Sequence, residues 1–170
     1  YSSNFNIGSG SSFQLNGTDQ KVTDINGSGT VVLSNSKTLT VASSAGSTYS
    51  GVISGQGNLV KQGTGELVLT GENTYSSGTT RVEAGKLTIG NGGTTGTILT
   101  DTALSSGTIL TFDRSSELTY TGAVTGAGQL VKEGAGRLIL TGESTYSGVT
   151  SVNDGILQVG NGGSSGSILG

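Results

Sequence analysis

Residues 50–76 read SGVISGQGNLVKQGTGELVLTGENTYS, and residues 121–147 read TGAVTGAGQLVKEGAGRLILTGESTYS. Sixteen of these 27 positions are identical, with a constant offset of 71 between them. After a one-residue deletion the match resumes: residues 82–99 (VEAGKLTIGNGGTTGTIL) align with residues 152–169 (VNDGILQVGNGGSSGSIL). Self-similarity over a long unit marks a repeat architecture, in which no unit buries its apolar face alone and stacked neighbours bury a continuous core.

A shorter period runs inside the long one. Residues 65–69 (GELVL) are echoed by residues 85–89 (GKLTI), Leu39 by Leu59 and Leu118 by Leu138, each time at a spacing of 20. A period near 20 is one coil of a β-solenoid, made of two or three short strands with turns between them. The chain then holds roughly eight coils and is roughly 40 Å long, at a rise of about 4.8 Å per coil. Strand alternation places Leu67/Leu69, Leu87/Ile89, Leu138/Leu140 and Leu157/Val159 on the core face. It turns Val68, Thr88, Ile139 and Gln158 outward, together with Glu66, Lys86 and Arg137. Gly pairs such as Gly55/Gly57, Gly63/Gly65, Gly126/Gly128 and Gly134/Gly136 punctuate the strands, and the Asn91-Gly92-Gly93 and Asn161-Gly162-Gly163 triplets signal turns. No helical periodicity is present. The expected layout is one all-β solenoid over residues 1–170. Residues 1–49 form degenerate leader coils, 50–99 the first repeat copy, 100–120 a connecting coil and 121–169 the second copy.

Composition explains why such a chain folds. Hydrophobic residues are 31% and charged residues 11% of the chain, with 32 Gly. Disordered chains are usually highly charged, whereas this one carries recurrent Val, Ile, Leu and Thr runs. A thin core repeated many times fits better than one large core. Net charge is −3, and the eight Lys and Arg are scattered singly, so a nucleic-acid partner is not expected. Cys, His, Met, Pro and Trp are absent, which removes disulfides, thiolate or imidazole metal ligands and imidazole proton relays. Stability must come from backbone ladders. The absence of Met, of any apolar run of membrane-spanning length and of a cap at Gly170 leads us to expect a segment of a longer rod. Any targeting signal or outer-membrane anchor would lie outside it.

The pattern G-x-G-x-L-V-K-x-G-x-G-x-L-x-L-T-G-x-x-T-Y-S-G-x-T-x-V-x-x-G-x-L runs from Gly55 to Leu87, with one inserted Ser at Ser76-Ser77, and from Gly126 to Leu157. It resembles the autotransporter-associated β-strand repeat of type V secretion passengers. The resemblance is direct over these two windows; residues 1–49 share only composition and strand rhythm. It implies a right-handed parallel β-helix on the bacterial cell surface, or secreted after cleavage, active in adhesion, autoaggregation, biofilm formation or as a toxin. It also implies a role of the repeat in secretion and folding. It brings no catalytic residues.

The residues themselves lead to the same expectation of no catalytic, cofactor-binding or metal site. Glu72 and Glu143 are equivalent repeat positions, which argues for structure or solvation over unique catalysis. Asp101 and Asp113 lie outside the matched core, and a lyase or glycosidase would need convergent carboxylates. NGGTTG and NGGSSG lack the periodic Asp of a calcium-binding β-roll. The Gly-x-Gly pairs lack the helix and Lys-Ser/Thr of a phosphate loop. Lys61 and Lys132 read as outward strand residues that discourage lateral edge pairing. Tyr75 and Tyr146 read as turn aromatics packed over a coil corner, their hydroxyls exposed or bonded. The expected partners are a host-cell receptor, extracellular matrix or glycan, or a second rod through self-association. A receptor-binding effector or toxin is the alternative, with residues 100–120 as the nearest candidate insertion; a polysaccharide-degrading β-helix enzyme ranks below both.

Overall fold

The computed structural model of the chain describes residues 4–168. Leu169, at the end of the second copy, and the capping of Gly170 lie outside the described residues. Every element described is a short β-strand, every pairing between strands is parallel, and no helix occurs among the described residues. The strands wind into a parallel solenoid with three sides, visited in a fixed order. Side one stacks Phe5–Ile7, Ile25–Gly27, Ser47–Tyr49, Glu66–Leu69, Lys86–Gly90, Ile109–Asp113, Gln129–Glu133 and Thr150–Val152 into one unbroken sheet. Side two stacks Ser12–Leu15, Thr30–Leu33 and Val52–Gly55 near one end and Leu118–Tyr120, Arg137–Leu140 and Ile156–Val159 near the other. Between them the chain crosses this side in two looser passes that meet at a single bridge, Glu72 to Thr97. Side three stacks Gln20–Val22, Thr38–Val41, Asn58–Lys61, Thr80–Val82, Thr102–Leu104 and Val124–Gly126. Glu143–Ser144, paired with Ser167–Ile168, continues it: the Val124 amide donates to Ser144 Oγ, and the Thr145 amide to the Val124 carbonyl.

The ladder registers explain why the short sequence period predicts the fold. Leu67 lies over Leu87, Leu87 over Leu110 and Leu110 over Leu130; Leu69, Ile89 and Phe112 form the next column. All seven side chains are fully buried. Each strand interior to the stack has its backbone groups bonded on both sides, and each core side chain rests on one above and one below. Residues 100–120 supply three strands, Thr102–Leu104, Ile109–Asp113 and Leu118–Tyr120, and so form one ordinary coil.

The corners are crowded. Gly55 and Gly126 both sit at positive φ (101° and 98°), and a Cβ on either would lie 2.1 Å from the carbonyl oxygen of Leu33 or Leu104 one coil earlier. Polar side chains bridge the corner between sides two and three, where Gly55 sits. Asp19 accepts from the Thr38 amide, Asn58 from the Thr79 amide and Asp101 from the Ala123 amide, at 2.8–2.9 Å. Two of these three acceptors are Asp and one is Asn.

The two repeat copies do not lie above one another. Val52–Gly55 is on side two and its equivalent Val124–Gly126 on side three. Asn58–Lys61 is on side three and Gln129–Glu133 on side one; Glu66–Leu69 is on side one and Arg137–Leu140 on side two. The offset between the copies is therefore three coils plus one side. One alternation-based expectation weakens in the last coil. Val152 and Val159 are 51% and 44% exposed, while their first-copy equivalents Val82 and Ile89 are wholly buried. The first-copy pair is covered by the next coil, and among the described residues no coil covers the second.

Candidate functional site

Shallow concavities occur on the surface of the described residues. One, of about 320 Å³, lies on side one and is lined by Asn26, Ala45, Gly46, Ser47, Thr48, Glu66 and Val68. Another, of about 310 Å³, is lined by Lys21, Val22, Thr23 and Ala42. The first holds a single carboxylate, Glu66, which is bonded to the Thr88 hydroxyl and lies 3.2 Å from Lys86 Nζ. Partial burial works to raise the Glu66 carboxyl, but the Thr88 hydroxyl and the Lys86 ammonium outweigh it and hold the group below the usual carboxylate range. A lone, charge-paired carboxylate has no partner to divide acid and base roles. Among the described residues no three His, Cys, Asp or Glu side chains converge on a point where a metal would sit.

The carboxylates singled out by sequence serve the coil instead. Glu72 accepts from the Gly96 amide (3.2 Å) and Glu143 from the Gly166 amide (2.9 Å), so each fastens the Asn-Gly-Gly loop of the following coil. Asp101 accepts from the Ala123 amide through its carboxylate, whereas at Asp113 it is the backbone carbonyl that accepts from the Gly92 amide. Arg114, 9% exposed, reaches under the first loop and donates to the carbonyls of Thr94 (2.5 Å) and Gly96 (2.6 Å). Other polar and charged side chains pair on the surface: Arg81 with Glu83 (3.1 Å), Lys21 with Gln62 (2.6 Å) and Gln62 with Glu83 (2.8 Å).

Two expectations are corrected. Lys61 and Lys132 do not face solvent; they are 0% and 2% exposed. In L-V-K the alternation that points Leu59 and Leu130 inward also points the lysines inward, and only the middle Val faces out. Each stem lies in the core column and each ammonium reaches carbonyls at the corner. Desolvation pulls Lys61 down to about 8 and lowers Lys132 as well, the latter against the carboxylates of Asp154, Asp113 and Glu133. Tyr75 and Tyr146 do not cover a corner from outside; both are wholly buried, their hydroxyls bonded to Thr80 (2.6 Å) and Thr150 (2.5 Å). From Thr80 the network continues to the Thr100 hydroxyl (2.7 Å), whose carbonyl accepts from Tyr120 (2.6 Å). A buried aromatic of this kind offers no contact surface to a partner.

Asn73 escapes the sequence pattern. It is wholly buried where side two loses its regular strand, and it replaces the missing ladder. Its Oδ1 accepts from the Ile53 amide (2.8 Å), and its Nδ2 donates to the carbonyls of Gly71 and Thr97 (3.0 Å each). The second copy has Ser144 there, bonded to the equivalent Val124 amide. The available signal is a polar residue in both copies between Glu and Thr-Tyr.

The model of the passenger-associated-transport-repeat matches residues 59–89 and 130–159, the two windows that hold the buried lysines and the core columns. The chain is also similar to "Adhesin BmaC autotransporter" of Brucella suis biovar 1 (strain 1330), with 42% identity over 65% of this chain. It spans 4% of that protein's length. No solved structure matches the chain.

Proposed function

We propose, for a chain that is an autotransporter passenger with passenger-associated-transport repeats, that this segment is the stalk and folding core of a non-enzymatic, adhesin-type passenger at the cell surface or secreted from it. The unbroken eight-stranded parallel sheet of side one carries this reading. A ladder running from Phe5 to Val152 makes a stiff spacer. Among the described residues four ion pairs, Arg81–Glu83, Lys86–Glu66, Arg114–Glu72 and Arg137–Glu117, draw basic side chains onto neighbouring carboxylates. No long excursion leaves the coil among the described residues, and residues 100–120, the candidate effector insertion, are a regular coil. That weighs against the receptor-binding toxin reading for this segment.

A second reading is favoured by the similarity to an adhesin: the segment itself contributes adhesive surface, through many weak hydrogen bonds along its faces. Host-cell receptors, matrix or glycans, or a second rod, would be its partners, and affinity would come from avidity. Binding of the labelled, folded chain to cultured host cells separates the two. The stalk reading expects no saturable binding and a monodisperse chain in solution. Saturable binding that is lost when the chain is unfolded would overturn the stalk reading and move the adhesive surface into this segment.

A further inference from the structure

Lys61 and Lys132 occupy equivalent places in the two repeat copies but stand on different sides of the rod, so their surroundings were built twice. Lys61 Nζ donates to the carbonyls of Gln62 (2.7 Å), Gly63 (2.8 Å) and Ala84 (3.3 Å). Lys132 Nζ donates to those of Glu133 (2.5 Å), Gly134 (2.6 Å) and Asp154 (3.4 Å). In both, two carbonyls belong to the lysine's own corner and the third to the corner of the next coil. We propose that each ring of three carbonyls is a receptor for a primary ammonium group, filled by the repeat's own lysine, and that it staples one coil to the next.

The chemistry of the group fits the ring. An alkylammonium has three N–H donors and no acceptor, and each ring presents three acceptors to it. The stem is gripped along its length: Lys61 is in register between Val41 and Val82, and Lys132 between Phe112 and Val152. A guanidinium is planar and wider, with its donors in a fork, and does not match three carbonyls closing on one point. The carboxylates of Asp154, Asp113 and Glu133 act on Lys132, yet Lys61 makes the same contacts without them. The carbonyl ring is therefore the common element. Because the third carbonyl belongs to the following coil, Ala84 for Lys61 and Asp154 for Lys132, the ring closes only when that coil has docked. A chain with no cysteine thus obtains a non-covalent cross-link at a fixed point of every repeat. This proposal rests on the rod alone and is independent of the adhesion reading.

The test is nuclear magnetic resonance of the whole chain labelled with ¹⁵N-lysine, at mildly acidic pH, assigned through the backbone. Two ammonium resonances, those of Lys61 and Lys132, should exchange slowly with water, while that of Lys86 exchanges fast. Chemical denaturation of Lys61→Met, Lys61→Arg and Lys86→Met runs beside it. Met and Arg at position 61 should both lower the midpoint, and Met at position 86 should leave it nearly unchanged. Ammonium groups of Lys61 and Lys132 that exchange as fast as that of Lys86 would overturn the proposal. So would Lys61→Arg matching the unsubstituted chain.

Discussion

Asn73 shows how much rests on single interior polar groups. It bonds three backbone groups where side two, among the described residues, has no regular strand. Asn73→Ala would orphan the Ile53 amide and the Thr97 carbonyl, at about 1–3 kcal/mol for each buried group left without a partner, while the Gly71 carbonyl keeps the amides of Asn73 and Thr97. Asn73→Ser should cost less, because Ser144 serves the equivalent Val124 amide. Urea denaturation of the two variants checks the order, and equal losses would refute it. The buried tyrosines set the alkaline limit. Burial pushes Tyr49 and Tyr75 up to about 12, and Tyr120 and Tyr146 also upward. A folded value above the ordinary one of 10.0 means the folded chain holds its proton longer. The associated stability is therefore whole below pH 10 and is lost as pH rises towards 12. Far-ultraviolet circular dichroism against pH should show unfolding in that window, and a Tyr75→Phe chain should lose its structure less steeply. A transition at neutral pH, or one indifferent to the substitution, would contradict this account.

The element that decides packing is the corner. Gly51 lies under Gly71, and a Cβ on Gly71 would sit 1.9 Å from the Gly51 carbonyl oxygen. That neighbour is backbone held in the ladder and has no room to yield, so the coil must shift. Gly8, with nothing within 4 Å of its would-be Cβ, is the matched control. Gly71→Ala should destabilise the chain by about 2 kcal/mol or more, towards the severe end of point substitutions, and Gly8→Ala by less than about 0.5 kcal/mol. Thermal melts of the two variants measure the contrast, and similar melting temperatures would show that the corner is looser than its geometry indicates. The spacing of Gly pairs marks these corners in the sequence. Which glycines touch backbone and which face open solvent is not legible there, because the contact is made one coil away.

At the scale of the whole rod, the repeat advances by three coils and one side, so equivalent surface groups spiral instead of forming a stripe. Asn91 follows Lys86–Gly90 on side one, while Asn161 follows Ile156–Val159 on side two. Spin labels at Asn91→Cys and Asn161→Cys should therefore lie farther apart than labels at Lys21→Cys and Arg81→Cys. The latter pair is stacked three coils apart on side three, about 14 Å along the axis. Equal distances would place the copies on one side. For an adhesive rod the offset turns the same group to a second side; for side-by-side rods it denies a flat zipper.

The parallel coil, its period, the leucine columns and the glycine corners can all be read from the residues, because each follows from alternation within a strand and recurrence between coils. The inward lysines are equally present in the alternation of L-V-K, but the rule that charge belongs in water masks them. That the two copies face different ways is already implied by the offset of 71, which is not a whole number of 20-residue coils. Two features emerge only once the rod is wound: the lysine charge finds partners indoors, and Asn73 stands in for a strand. Each depends on where a segment one coil distant comes to rest. That position is set by the sum of all intervening corners, and no local pattern encodes a sum.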